Sequence, residues 1–176
     1  MTSWMTRAVG AAVISMAGFA GSAALAQESS NRVATMTDWS VFADKNPTEC
    51  WGVSSPKETV NTKDGKPVSV RRDDILLFVT FRPGAKGETS FSGGYPFAPG
   101  STVKLDVDGT AFDLISDGEW AWPGTSEDDA TILAALKKGT TAVLTARSAR
   151  GTQTKDSFSL RGFTAAMDEA AKQCAS

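Results

Sequence analysis

The chain has 176 residues, 41% of them hydrophobic and 22% charged, a balance typical of globular proteins and unlike that of disordered or fibrous ones. Its 18 Lys and Arg stand against 20 Asp and Glu, a net charge of −2 with the two signs interspersed, which argues against nucleic acid as a partner. Histidine is absent, so the usual general base and the commonest metal ligand are missing together, and catalysis here would have to run through carboxylates, serines or lysines.

In chain order, Arg7, the apolar stretch Ala8 to Ala24 and the small residues Ala24-Leu25-Ala26 before Gln27 predict a secretory signal over residues 1–26. Its glycines and alanines are too weakly apolar for a permanent anchor, and no later stretch is long enough to span a bilayer. The expected product is therefore periplasmic or secreted, and not an integral membrane protein. Its roughly 150 residues suit one domain with a real core. In an oxidising compartment two cysteines pair more often than they stay free, so a Cys50–Cys174 disulfide is expected.

Residues 27–37 read as a flexible polar segment, followed by one domain over 38–176. Trp39, Val41 and Ala43 alternate with Ser40 and Phe42 as a first strand, and Cys50–Ser54 reads as a second. Ser55–Pro67 is polar and turn-rich around Asp64-Gly65, so a hairpin or loop is expected, and Ile75–Phe81 is a continuous apolar run that suits a strand buried on both faces. Thr102–Val107 alternates cleanly, and Asp108-Gly109 supplies the positive φ values of a type I′ turn. That turn places Val107 opposite Thr110, Leu105 opposite Phe112 and Val103 opposite Leu114. Asp117-Gly118 repeats the signal and starts a third strand, Glu119–Trp122.

Glu127–Lys138 reads as a helix capped by Ser126, with acidic residues in its first turn, Lys137 and Lys138 in its last, and Gly139 as its stop. Strands at Thr141–Ser148 and Asp156–Arg161 follow, joined by a turn at Arg150-Gly151. From Phe163 the spacing of Phe163, Met167, Ala170 and Cys174 is helical, which turns Cys174 toward the body of the protein. About eight short strands with two short helices give a mainly β fold, an antiparallel β-sandwich.

Phe91-Ser92-Gly93-Gly94-Tyr95-Pro96-Phe97, the hairpin, Leu136-Lys137-Lys138-Gly139 and Leu160-Arg161-Gly162-Phe163-Thr164-Ala165 occur in an order that resembles the invasion-associated locus B (IalB) family. The resemblance runs from about Trp39 to the C-terminus. It implies an immunoglobulin-like β-sandwich of alphaproteobacterial type, exported and without an established enzymatic activity. Where better-known members carry a cysteine pair before the first helix, this chain has Glu119-Trp120-Ala121-Trp122-Pro123-Gly124, which suggests a general envelope role rather than host entry.

Asp106, Asp108, Asp113 and Asp117 cluster in sequence, but Ala111 occupies the position where a calcium loop needs glycine, and hairpin turns already explain Asp108 and Asp117. Asp73-Asp74 and Glu127-Asp128-Asp129 are sequence neighbours that do not converge on one substrate, and no Gly-x-Ser-x-Gly element occurs. No catalytic residue, metal ligand or cofactor is therefore expected.

Two surface features remain. A strict two-residue turn at Asp117-Gly118 would put Trp120 and Trp122 on the face opposite Leu105 and Phe112, outside the core unless a bulge or the helix covers them. Arg147 and Arg150, with Lys155, surround the last hairpin turn and suit an anionic surface. Trp120, Trp122, Arg147 and Arg150 are the candidate partner-binding set, for an envelope protein, a glycan or a lipid surface. The expected function is that of a non-catalytic exported binding protein. The alternatives are a hydrolase or metal-dependent enzyme using carboxylates, and a structural or stress-protective protein without a specific ligand.

Overall fold

In the computed structural model, which describes residues 31–46 and 48–175, Asp108 and Gly109 take φ of 46° and 93°. Those values make the expected type I′ turn, and the pairs Val107↔Thr110, Leu105↔Phe112 and Val103↔Leu114 form as read. This hairpin, β8 (Thr102–Val107) and β9 (Thr110–Asp117), is one of several that build the domain. Before it come β1 (Arg32–Met36), β2 (Trp39–Lys45), β3 (Thr48–Ser54), β4 (Glu58–Lys63), β5 (Lys66–Pro67), β6 (Leu76–Phe81) and β7 (Glu88–Ser92). After it come β10 (Trp120–Trp122), α1 (Ser126–Lys138), β11 (Thr141–Arg147), β12 (Gln153–Ser159) and α2 (Phe163–Gln173).

The strands are hydrogen-bonded in the order β1-β2-β3-β6-β7-β10-β9-β8-β11-β12-β4-β5, and every pairing is antiparallel. Between β7 and β10 the ladder narrows to two pairs, Trp120↔Ser92 and Ala121↔Phe91. That seam separates two layers, whose buried faces meet where the Phe91 and Phe158 rings touch edge to face at 6.2 Å. The result is the expected β-sandwich with two helices.

α2 lies on the face of β2 and β3 that carries Val41, Cys50 and Gly52. Trp39 meets Phe163 edge to face at 4.8 Å, and the Trp39 indole N–H donates to the Ser159 carbonyl at 2.9 Å. Gly52 is where the Met167 side chain presses closest, so glycine's missing Cβ lets the helix seat. A Cys50–Cys174 disulfide then ties the end of α2 to β3 across 124 residues. α1 packs against β7 and α2, burying Ile132 and Leu136.

The structure departs from the sequence reading at identifiable points. The predicted secretory signal lies outside the described residues. Residues 32–36, assigned to a flexible segment, form β1 by pairing with β2, with a bulge between Arg32 and Ala34. Among the described residues there are twelve strands rather than about eight, because short polar runs such as β4 and β5 pair at the edge of the second layer. β6 is buried on one face only: Leu77, Val79 and Phe81 are in the core, while Leu76, Phe78 and Thr80 are half-exposed. β12 begins at Gln153, three residues before the expected start. α1 is capped by Thr125 rather than Ser126, the Thr125 hydroxyl accepting from the Asp128 N–H at 3.2 Å. Gly139 ends that helix in extended backbone instead of the left-handed conformation; a Cβ there would stand 2.6 Å from Val107 Cγ1.

Candidate interaction face

On β10, Trp120 pairs with Asp117, Ala121 with Ser116 and Trp122 with Ile115. The turn therefore sits one residue later than expected, at Gly118-Glu119, with Gly118 at φ 58°. Moving the turn by one residue changes each partner by two, so the side chains keep the face predicted for them. Ala121 is fully buried, while Trp120, Trp122 and Ile115 are 43%, 40% and 53% exposed. No bulge returns the indoles to the core and α1 does not cover them.

These residues, just past the seam on β10 and β9, continue a row that crosses the outside of the first layer. Phe42 on β2 stacks on Trp51 of β3 with ring centroids 5.5 Å apart. Val53 pairs with Phe78 of β6, and Phe78 lies 5.7 Å from Trp120. The last contact passes over β7, where Phe78 pairs with Ser90 and Trp120 with Ser92, two side chains too small to separate the rings. Phe42, Trp51, Val53 and Phe78 are each half-buried, so the row is a shallow apolar face rather than a second core. Sequence reading isolated only the tryptophans of β10. The signal for the rest was the period-two alternation of β3 and β6, hidden in β6 because its outward residues are apolar as well.

A polar rim borders the row. Arg82, just past β6, pairs with Glu49 of β3 at 2.5 Å and with Glu88 of β7. The Glu88 hydrogen bond, followed by the charges of Glu88 and Glu49, holds the guanidinium proton more tightly than usual. Near the start of α1, Asp129 accepts from the Thr89 N–H at 2.6 Å. Burial pushes its carboxyl above the ordinary carboxylate range, and that N–H offsets part of the rise.

Arg147 and Arg150 are both exposed on the β11–β12 hairpin. Arg147 lies at the end of β11, opposite Gln153, whereas Arg150 lines a cleft shared with Glu119, the residue before Trp120. The two candidate regions thus approach each other at the β9–β10 turn.

Beneath the cleft lies a buried pair that sequence reading did not single out. Arg72, in the segment between β5 and β6, donates to both oxygens of Asp156 on β12 at 2.7 Å. The two side chains are 5% and 0% exposed. Arg72 Nε and Nη2 also donate to the Gly93 carbonyl, Nη1 donates to Asn61, and its guanidinium carbon lies 4.8 Å from the centre of the Tyr95 ring. Burial raises the pKa of the Tyr95 phenol. Nothing local in sequence marks this pair, since 84 residues separate its members.

Ser54 and Lys57 have a Ser-x-x-Lys spacing, a pattern used by some hydrolases, which the sequence reading overlooked. Ser54 Oγ donates to the Asp38 carbonyl at 2.7 Å, and Lys57 pairs with the Asp38 carboxylate at 2.6 Å. Both therefore serve Asp38. Among the described residues no three of His, Cys, Asp and Glu are grouped to hold a metal, and no helix is long and apolar enough to cross a membrane.

The fold and this surface can be set beside known proteins. The chain is similar to invasion associated protein B from Bartonella henselae, whose crystal structure superposes with a TM-score of 0.54 at 17% identity, covering 79% of this chain and 95% of that one. No curated protein sequence matches. The profile of the invasion associated locus B (IalB) protein family matches residues 39–171, from the first residue of β2 into α2, and the chain belongs to that family.

Proposed function

We propose that this is an exported protein of the cell envelope that works by binding rather than by catalysis, and that it holds a protein partner against the aromatic face that runs from its first layer across the seam to β10. The observation that carries this reading is the row from Phe42 to Trp122, which ends in two indoles and Ile115, each at least 40% exposed. An isolated exposed apolar side chain is ordinary, but a contiguous row rimmed by ion pairs has the layout of an interface, and Trp is enriched where binding energy concentrates. Export is supported by the predicted signal over residues 1–26 and by the disulfide, a bond that persists in oxidising compartments.

The test is photo-crosslinking in intact cells from a benzophenone amino acid placed at position 122, with position 155, on β12 and outside the aromatic row, as control. One discrete adduct from position 122 and none from 155 is the expected result. Equal labelling from the two positions, or none from either, would overturn the reading. Fractionation of the same cells tests export: the mature protein should appear in the periplasm or the medium with no free thiol.

A further inference from the structure

At the end of the sandwich away from the disulfide, a cleft of about 510 Å³ opens between residues 69–73 and the β11–β12 turn. That volume lies within the range of about 300–1,000 Å³ usual for small-molecule sites. The Asp73 N–H donates to the Gly94 carbonyl at 2.9 Å, which anchors one wall. Tyr95 and Thr154, whose hydroxyls share a hydrogen bond of 2.6 Å, lie at the floor.

The charges decide what this cleft can hold. Arg72 lines it, but its charge is cancelled by Asp156 and its N–H groups are engaged by Asp156, Gly93 and Asn61, so its work is to hold the wall. Four other charged residues line the cleft: Arg71, Arg150, Asp73 and Glu119. None of their side chains has a hydrogen bond or ion pair with another described residue. An anion site would leave cations in excess, and a cation site would leave carboxylates in excess. Here two cationic and two anionic side chains line the cleft, with no net charge among the four. A hydroxyl donates and accepts at once, so a ligand rich in hydroxyls meets both kinds of side chain without adding charge.

We propose that the cleft binds a neutral saccharide of one or two rings, with Arg71 and Arg150 donating to its hydroxyl oxygens and Asp73 and Glu119 accepting from its hydroxyl protons. Charged partners strengthen such bonds relative to neutral ones. The site is separate from the aromatic face, so it stands or falls independently of the proposed protein partner.

The test is NMR titration of the ¹⁵N-labelled mature protein with glucose, N-acetylglucosamine, maltose and diacetylchitobiose, alongside glucuronate and inorganic phosphate. At least one neutral sugar should shift the Gly94, Tyr95, Glu119 and Thr152 amides saturably. Arg150→Ala and Glu119→Ala should each weaken that binding by about tenfold, the loss expected for one hydrogen bond to a charged group. Trp122→Ala should leave it unchanged. All of these substitutions are at exposed or half-exposed positions, so unchanged far-ultraviolet circular dichroism verifies the fold. The proposal is overturned if only phosphate or glucuronate moves the cleft amides. It is equally overturned if no neutral sugar moves them at up to about 50 mM, above the millimolar range that a few hydrogen bonds reach, or if both variants bind as the parent does.

Discussion

At Asp156 a single carboxylate offsets a guanidinium that is 5% exposed. Asp156→Ala leaves that charge buried without its partner, and a loss of about 3–5 kcal/mol in urea-monitored stability is expected. Adding Arg72→Met should recover part of it by removing the orphaned charge. Recovery stays incomplete, because the Gly93 carbonyl and Asn61 lose their donor as well. Asp108 offers a second test. Its carboxylate accepts from the Thr140 and Thr141 N–H groups, fastening the β8–β9 turn to the start of β11, and those bonds lower its pKa. A carboxyl lowered in the folded state adds stability above its ordinary value, and that stability is lost as the pH falls through the folded value. Acid unfolding of Asp108→Asn should accordingly show a shallower loss of stability below about pH 4 than the parent does. At this scale the sequence was readable where chemistry is local, as in the hairpin aspartate and its glycine. It was ambiguous at the α1 cap, where Thr125 and Ser126 are both good caps and only backbone geometry selects the first. Thr125→Ala should lower the melting temperature, equivalent to about 1 kcal/mol, while Ser126→Ala should leave it nearly unchanged.

Elements were legible in proportion to how far period and turn chemistry decide them. β8, β9 and α1 carry clean periods between strong stop signals, and they lie within a residue of their expected bounds. β1 was not read as a strand, and the segment of β4 and β5 was left open between a hairpin and a loop, because these are polar edge strands, and the pairings of β1 with β2 and of β4 with β12 are not marked by an apolar period. α2 was legible from its stripe, but not the reason for the glycine before it. Gly162 stands at φ 88°, and a Cβ there would run into the Met36 carbonyl, which is backbone and cannot move aside. Gly162→Ala should destabilise by several kcal/mol, whereas Gly52→Ala meets only the flexible end of Met167 and should cost less. Removing the disulfide tests the same helix. A loop of 124 residues corresponds to about 5 kcal/mol in the chain-entropy treatment, so Cys50→Ala/Cys174→Ala should melt much earlier, with the amides of α2 exchanging fastest.

For the whole molecule, the exposed indoles make a prediction separable from any partner. Trp39 is fully buried, and Trp51 is half-buried under Phe42. Most acrylamide-quenchable fluorescence should therefore come from Trp120 and Trp122, and Trp120→Phe/Trp122→Phe should leave an emission that is blue-shifted and poorly quenched. An unchanged quenching slope would show that the face is covered in solution. The sandwich and the facing of these tryptophans were legible because alternation fixes the face of a side chain even when the turn is misplaced by one residue. The cleft and its Arg72–Asp156 support were not, because they arise only when β5–β6, β7 and β12 are brought together. The same alternation bears on descent. Phe78, Trp120 and Trp122 occupy the positions between the core residues Leu77, Val79 and Ala121, so a lineage can exchange the outward set without disturbing the inward one. Proteins that share only 17% of their residues, as this chain does with its Bartonella counterpart, can thus inherit one scaffold and still part ways over what they recognise.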